Sequence, residues 1–296
     1  MKGSLFFKVY GGLLLAMLFW GMSFIGTKYS LQTLQPISIV LIRLVISCSF
    51  LVLLGKLLGL LDKLKRKHIH WFIILAFFEP FLYFIGETYG LKYVSPTIGS
   101  ILIATIPLFV PWGAWLFFKD KINIKNFLGI VISVVGVFFT MLNKDFQFTS
   151  SLLGVSLVMV AVISAIAYTL IIRYIANDYS PLTIITYQNL LGIPFFIPLF
   201  FIVDFPSFSF ATISNDLWIV LLLLGIFPSS FSYMFYTYAV REIGVSKTSV
   251  FTNLIPIITA LASYFLFNET LTLVKILGIL IVIIGLYIAQ NAKQKE

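Results

Sequence analysis

Residues 78–107 read FEPFLYFIGETYGLKYVSPTIGSILIATIP, and residues 227–256 read FPSSFSYMFYTYAVREIGVSKTSVFTNLIP. Laid on one another at a constant offset of 149 with no gap, they pair Thr88 and Tyr89 with Thr237 and Tyr238, Ser100 with Ser249, and Ile106-Pro107 with Ile255-Pro256. Beyond them Asp120 falls opposite Glu269, Gly129 opposite Gly278 and Gly136 opposite Gly285. Self-similarity at so long a period marks a duplicated unit and has to be settled before any local reading.

What surrounds the two stretches decides what the unit is. Of 296 residues, 60% are hydrophobic, 17% aromatic and only 10% charged, far below the ~25% charged of ordinary soluble domains, so the chain cannot coat its own surface with polar groups. Its solvent is lipid. Apolar runs bounded by charge, Pro or Asn predict ten membrane-spanning helices: 9–29, 36–57, 71–91, 95–118, 125–142, 152–174, 181–203, 217–240, 246–267 and 272–289. The first run is too long for a signal-peptide core and lacks a small-x-small cleavage site, which predicts a retained helix. The net charge of +9 sits in short clusters between the runs, a pattern expected of membrane topology and not of nucleic-acid binding.

Five spans per half send the second copy through the bilayer in the opposite sense. The charges agree, because Lys119 and Lys121 of the first copy correspond to Asn268 and Thr270 of the second. Lys63, Lys65, Arg66, Lys67, Lys119, Lys121, Arg241, Lys293 and Lys295 fall on one side, which predicts both termini in the cytoplasm. The expected fold is thus an all-α integral membrane protein, with ten transmembrane helices arranged as two inverted five-helix repeats over residues 1–145 and 146–296. Two such copies exchange inward- and outward-facing shapes at little cost, the basis of alternating access.

Ionisable groups inside spans cost ~2.5–3.5 kcal/mol on insertion scales, so Arg43, Glu79 and Glu87 each call for a protein interior or a cavity. Glu79, Tyr83 and Glu87 advance by four and form one polar stripe if the third helix is continuous. Arg43 and Glu87 reach a similar depth, which predicts an ion pair that is either structural or a gate. Glu79 has no basic partner at its depth and is replaced by Pro228 in the other copy. It is expected to meet a cationic group of a substrate or to take up a proton, unless it is a hydrogen-bonded structural acid. Pro107, Pro228 and Pro256 free carbonyls inside their spans and are candidate hinges. Trp20, Asn253, Ser232 and Tyr236 complete the candidate substrate-binding set, the last two from a hydroxyl-rich eighth helix that also carries Ser229, Tyr233 and Thr237. Interhelical hydrogen bonding is the competing role for such hydroxyls. Trp71 and Trp218 at span ends are expected to be interface anchors.

Other chemistries find little support. Cys48 is the lone cysteine, and His68 and His70, the only histidines, lie beside the Lys-rich loop, so no metal site, cofactor or catalytic constellation is expected.

In order along the chain, Trp20-Gly21 followed by Lys28, Pro36 followed by Arg43, Gly90-Leu91-Lys92-Tyr93-Val94-Ser95, Pro107 and Pro256, Phe267-Asn268-Glu269-Thr270-Leu271-Thr272 and the glycine pairs Gly129/Gly136 and Gly278/Gly285 resemble the EamA-type branch of the drug/metabolite transporter superfamily. In the first copy the acidic signature is Lys119-Asp120-Lys121, with Asp for the commoner Glu, and the second copy has Ala165-Ile166 and Gln188 where Trp-Gly and Arg would stand. The resemblance implies a ten-helix secondary transporter of small metabolites, an exporter in a bacterial inner membrane, with helices five and ten peripheral to a central cavity. Amino acids or related amines are the expected substrates, with protons a possible coupling partner through Glu79. A polytopic lipid-modifying enzyme and a nucleotide-sugar or organic-phosphate exchanger are the alternatives; the latter would call for more cavity cations.

Overall fold

The computed structural model describes residues 3–119, 124–142, 145, 150–244 and 248–290. Among the described residues ten helical rods follow one another: α1 (Gly3–Ser30), α2 (Pro36–Leu58), α3 (Arg66–Tyr93), α4 (Pro96–Ile103 and Ile106–Phe118), α5 (Ile124–Thr140), α6 (Leu152–Ile175), α7 (Pro181–Ser207), α8 (Asn215–Ile243), α9 (Leu254–Phe267 after the 3₁₀ turn Val250–Asn253) and α10 (Leu273–Gln290). Among the described residues there is no strand. Seven rods are long and apolar enough to cross a membrane alone, and α5, α9 and α10 are shorter apolar helices. The expected start of the ninth span at Ser246, the acidic-signature residues Asp120 and Lys121, and the tail residues Lys293 and Lys295 lie outside the described residues.

Local chemistry sets the boundaries. Ser95, Ser151, Ser180 and Ser214 each accept a backbone N–H from the first turn of the helix that follows, and Pro36, Pro96 and Pro181 occupy first helical positions, where a missing N–H costs nothing. Gly59, at φ 63°, closes α2 in the left-handed conformation that an L side chain resists.

The duplication read from the sequence is visible in the packing. Helix α3 packs on α6 as α8 packs on α1, α4 on α6 as α9 on α1, and α7 on α3 as α2 on α8. Two contacts are their own counterparts, α2 with α7 and α5 with α10. In the second of these the paired glycines allow backbones to touch: a Cβ on Gly136 would lie 2.6 Å from the Val282 nitrogen, and one on Gly278 2.7 Å from the Thr140 nitrogen. Ser133 Oγ donates to the Val282 carbonyl at 3.2 Å, joining residues 149 apart in sequence. The other faces of α5 and α10 expose Phe127, Val134, Phe138, Leu277, Ile284 and Tyr287, as suits a pair at the edge of the bundle.

A reciprocal device ties α2 to α7. Asp62, beyond the end of α2, accepts from the Ser180 N–H at 2.9 Å and the Thr183 hydroxyl at 3.1 Å at the start of α7. Asp204, at the end of α7, accepts from the Ser38 N–H at 2.7 Å and its hydroxyl at 2.8 Å at the start of α2. Each carboxylate meets the positive end of the other helix, at opposite ends of the bundle.

Two expected continuous helices are interrupted. Glu79 adopts φ −143° and ψ 115° inside the wide turn Phe77–Leu82 of α3, so Glu79, Tyr83 and Glu87 do not lie along one unbroken helical face. The cause is the next residue, Pro80, whose ring disfavours helical backbone before it. Helix α4 breaks at Ala104-Thr105, just before Pro107. The second copy has matching breaks, the wide turn Phe227–Ser232 of α8 around Pro228 and the 3₁₀ turn ahead of Pro256 in α9. All three candidate hinge prolines therefore sit beside helix interruptions.

Candidate functional site

The interruptions gather around a small central cavity of about 60 Å³. Trp20, Ser23 and Phe24 of α1 line it, with Arg43 of α2, Glu79, Tyr83, Phe84 and Glu87 of α3, Ile103 and Ile106 of α4, Ala165, Tyr168 and Thr169 of α6, Tyr233 and Tyr236 of α8, and Thr252 and Ile255 of α9. Six of the residues singled out from sequence thus meet in one place: Trp20, Arg43, Glu79, Tyr83, Glu87 and Tyr236. Ser232 and Asn253 do not join them. The Ser232 hydroxyl donates to the Ala16 carbonyl at 3.3 Å, the interhelical bond that was its competing role, and Asn253 sits in the turn ahead of α9, with Thr252 facing the cavity instead.

Glu79 is 3% exposed and accepts a hydrogen bond from the Tyr233 hydroxyl. Around it stands an aromatic wall. The Trp20 ring lies 5.1 Å from Tyr233 and 5.3 Å from Tyr236, and Tyr168 lies 6.3 Å from Tyr233. Trp20 is fixed by its indole N–H, which donates to the Pro228 carbonyl at 3.2 Å. That contact links the two copies through a carbonyl in the wide turn of α8, where regular helical bonding is relaxed.

Arg43, 2% exposed, donates from Nε and Nη2 to the Ser229 hydroxyl at 3.4 and 3.2 Å and from Nη1 to the Thr27 hydroxyl at 3.2 Å, and its charged end lies 4.6 Å from the centre of the Phe84 ring. Glu87 faces the same cavity and attracts Arg43, yet among the described residues no direct Arg43–Glu87 ion pair forms; Tyr83 is the hydrogen-bonding neighbour of Glu87. Hydroxyls hold the guanidinium where the sequence reading placed a carboxylate. Behind it Ser47, Asn189, Ser229 and Ser230 interlock: Asn189 donates to Ser47 at 2.9 Å and to the Ser229 carbonyl at 3.1 Å, and Ser47 meets Ser230 at 2.7 Å.

Two further clusters close the ends of the bundle. Glu269 accepts from Ser263 (2.6 Å), Ser95 (2.7 Å) and Thr97 (2.8 Å) and pairs with Lys275 at 3.3 Å, joining α4, α9 and α10. Burial alone would push its carboxyl up, but these hydroxyls and the ammonium outweigh burial and hold it below the usual carboxylate range. Nearby, the Lys28 ammonium donates to the Leu91 and Val94 carbonyls at the end of α3, at 2.5 and 3.1 Å. At the other end Lys65 pairs with Asp178 at 3.2 Å, and His68 Nδ1 bonds the Tyr179 hydroxyl at 2.9 Å. Trp71 stacks on Tyr174 at 4.8 Å, and Trp218 lies parallel to Phe210 at 6.5 Å. No group of three His, Cys, Asp or Glu side chains suited to a metal occurs among the described residues.

Broken helices in two oppositely running copies around a charged central cavity are features that many membrane transporters share. The EamA-like transporter family matches residues 8–142 and again residues 152–290, and the chain belongs to that family. It is 30% identical over 281 residues to an uncharacterized transporter of Archaeoglobus fulgidus, covering 93% of this chain and 96% of that protein. It is 26% identical over 293 residues to the uncharacterized transporter YyaM of Bacillus subtilis, covering 96% and 94%. One crystal structure superposes with a TM-score of 0.72 at 13% identity over 95% of this chain and 97% of that one, a likeness of fold alone. The protein is accordingly a multi-pass membrane transporter of the drug/metabolite superfamily, with a small-molecule substrate and a lipid bilayer around it.

Proposed function

We propose that the chain is a secondary active exporter of amino acids or related amines in the cell membrane, both termini in the cytoplasm, working by alternating access between two five-helix units, residues 1–145 and 146–296. The observation that carries this reading is Glu79, a buried carboxylate with one hydroxyl donor and an aromatic wall of Trp20, Tyr168, Tyr233 and Tyr236 about it. A carboxylate flanked by aromatic faces attracts an ammonium group both by charge and by cation–π contact. Glu79 also serves as the site of any exchanged proton, since substrate and proton would compete for one carboxylate. Pro107, Pro228 and Pro256, beside the breaks in α4, α8 and α9, are the bending points, and Arg43 and Glu87 shape the adjacent part of the cavity. Only one cation faces the cavity among the described residues, which disfavours multiply charged phosphates.

The test is counterflow in proteoliposomes with a panel of amino acids and amines, comparing the native chain with Glu79→Gln. Saturable counterflow by the native chain and its loss in the variant, at equal yield of monodisperse protein, is the expected result. Rates beyond carrier turnover would make the protein a pore. Transport that keeps its pH dependence in the variant would remove the proton role.

A further inference from the structure

A guanidinium carries five N–H donors, and Arg43 spends three of them on two neutral hydroxyls. One N–H on each of Nη1 and Nη2 has no partner among the described residues, although the side chain is 2% exposed and lines the central cavity. Its charge is cancelled by no direct contact. Glu87 attracts it from across the cavity wall, and the Phe84 ring supports its charged end at 4.6 Å. A buried guanidinium held by hydroxyls and an aromatic ring, with a free N–H on both terminal nitrogens, is preorganised to receive a second, forked acceptor.

We infer that Arg43 is the carboxylate-binding subsite of the cavity and that Glu87 is the resident counter-charge whose attraction an incoming carboxylate supplants. The inference rests on the proposed transport reading, in which Glu79 meets the substrate's ammonium. It narrows the substrate from amines in general to zwitterions that carry an ammonium and a carboxylate together. Tyr233, bonded to Glu79, lines the same cavity as Arg43, so the two charged groups face one space. A phosphate would bring more negative charge toward both Glu79 and Glu87, whereas a carboxylate brings one unit and matches the two free N–H groups.

Formal charge makes the test discriminating. With Glu79, Glu87 and Arg43 ionised, a bare amine neutralises the cavity and a zwitterion does not, so any preference for the amino acid comes from contacts to its carboxylate, which the Arg43 variants assign. Counterflow in proteoliposomes is measured for matched pairs, leucine with isoamylamine and phenylalanine with phenethylamine, and the ratio of amino acid to amine is read. The native ratio is expected to exceed about 10, a site built to bond a polar group rejecting the analogue that lacks it. Arg43→Gln should collapse the ratio, Arg43→Lys should leave an intermediate value because the charge remains without the fork, and Glu87→Gln should raise the ratio by removing the competing charge. A native ratio at or below one, a ratio unchanged in Arg43→Gln, or a fall in Glu87→Gln would each overturn the inference. Transport of neither member of any pair would instead sink the underlying reading. The native ratio needs no variant, so a poorly folding Arg43→Gln leaves the test standing.

Discussion

Helices α3 and α8 occupy equivalent places in the two copies, bend through wide turns of the same length, Phe77–Leu82 and Phe227–Ser232, and differ in what they present there. Helix α3 delivers two carboxylates, Glu79 and Glu87, to the cavity; α8 delivers Tyr233 and Tyr236 and, through Ser229 and the Pro228 carbonyl, anchors for Arg43 and Trp20. The duplicated fold supplies the bend twice, whereas the chemistry is divided, one copy providing charge and the other the groups that hold it. That division explains how a symmetric scaffold gains a polar site without burying four like charges within a bilayer, where each would be costly.

The sharpest way to break this comparison is to remove the acid from one side only. Glu79→Gln is expected to lower transport by about 100-fold or more, the scale of deleting one member of a buried, hydrogen-bonded charge contact. Pro228→Ala, at the equivalent place in α8, should cost far less than that; equal losses in a counterflow assay would mean that the bend and not the carboxylate is what matters. Next comes the contact that is its own counterpart. Gly136→Ala puts a methyl group 2.6 Å from the Val282 nitrogen, where backbone must shift, and should destabilise the protein by about 3 kcal/mol or more. Gly11→Ala, with nothing within 4 Å of the new Cβ, should be neutral or slightly stabilising. Thermal unfolding in detergent compares the two. Smaller still, Tyr233→Phe removes the hydroxyl from Glu79 while keeping the ring beside Trp20, and should weaken apparent substrate affinity by about 10-fold, read as a shift in half-saturation.

Much of this division was legible in the chain before any coordinates. The ten spans and the opposite sense of the copies followed from hydropathy and charge placement, and of the cavity residues Arg43, Glu79 and Glu87 followed from the cost of burying ions, Tyr83 from its spacing between the two acids, Trp20 from its place midway along a span and Tyr236 from a hydroxyl-rich helix. The polar stripe on α3 did not survive, because periodicity assumes an unbroken helix; the Glu79-Pro80 step carried the signal, since a residue before proline leaves helical backbone. Ser232, from the hydroxyl-rich eighth helix, and Asn253, near Pro256 in the ninth, were chosen by residue type, and cavity lining and interhelical bonding look alike in one dimension. Tyr168, Thr27, Phe84 and the Asp62 and Asp204 caps were not foreseen for a related reason: each acquires its role from a partner on another helix, and nothing in its own neighbourhood announces it.

The smallest effect expected concerns the Glu269 clasp, and its sign separates charge from mere packing. Glu269 is held below its ordinary range in the folded protein, so it binds fewer protons there than in the unfolded chain wherever the two values differ. Its contribution to stability is therefore complete above the ordinary carboxylate value of about 4.3 and declines as the pH falls through the lowered folded value. Glu269→Gln should lower the unfolding temperature by roughly 2–4 °C for each kcal/mol lost, equally at pH 6 and pH 8, because the carboxylate is ionised in both states at either pH. Below about pH 4 the native protein and the variant should converge, since protonation takes from the native chain what the amide already lacks. A gap that stays constant down to pH 3 would instead mean that the three hydroxyl bonds from Ser95, Thr97 and Ser263 hold α4 to α9 as well without the charge as with it.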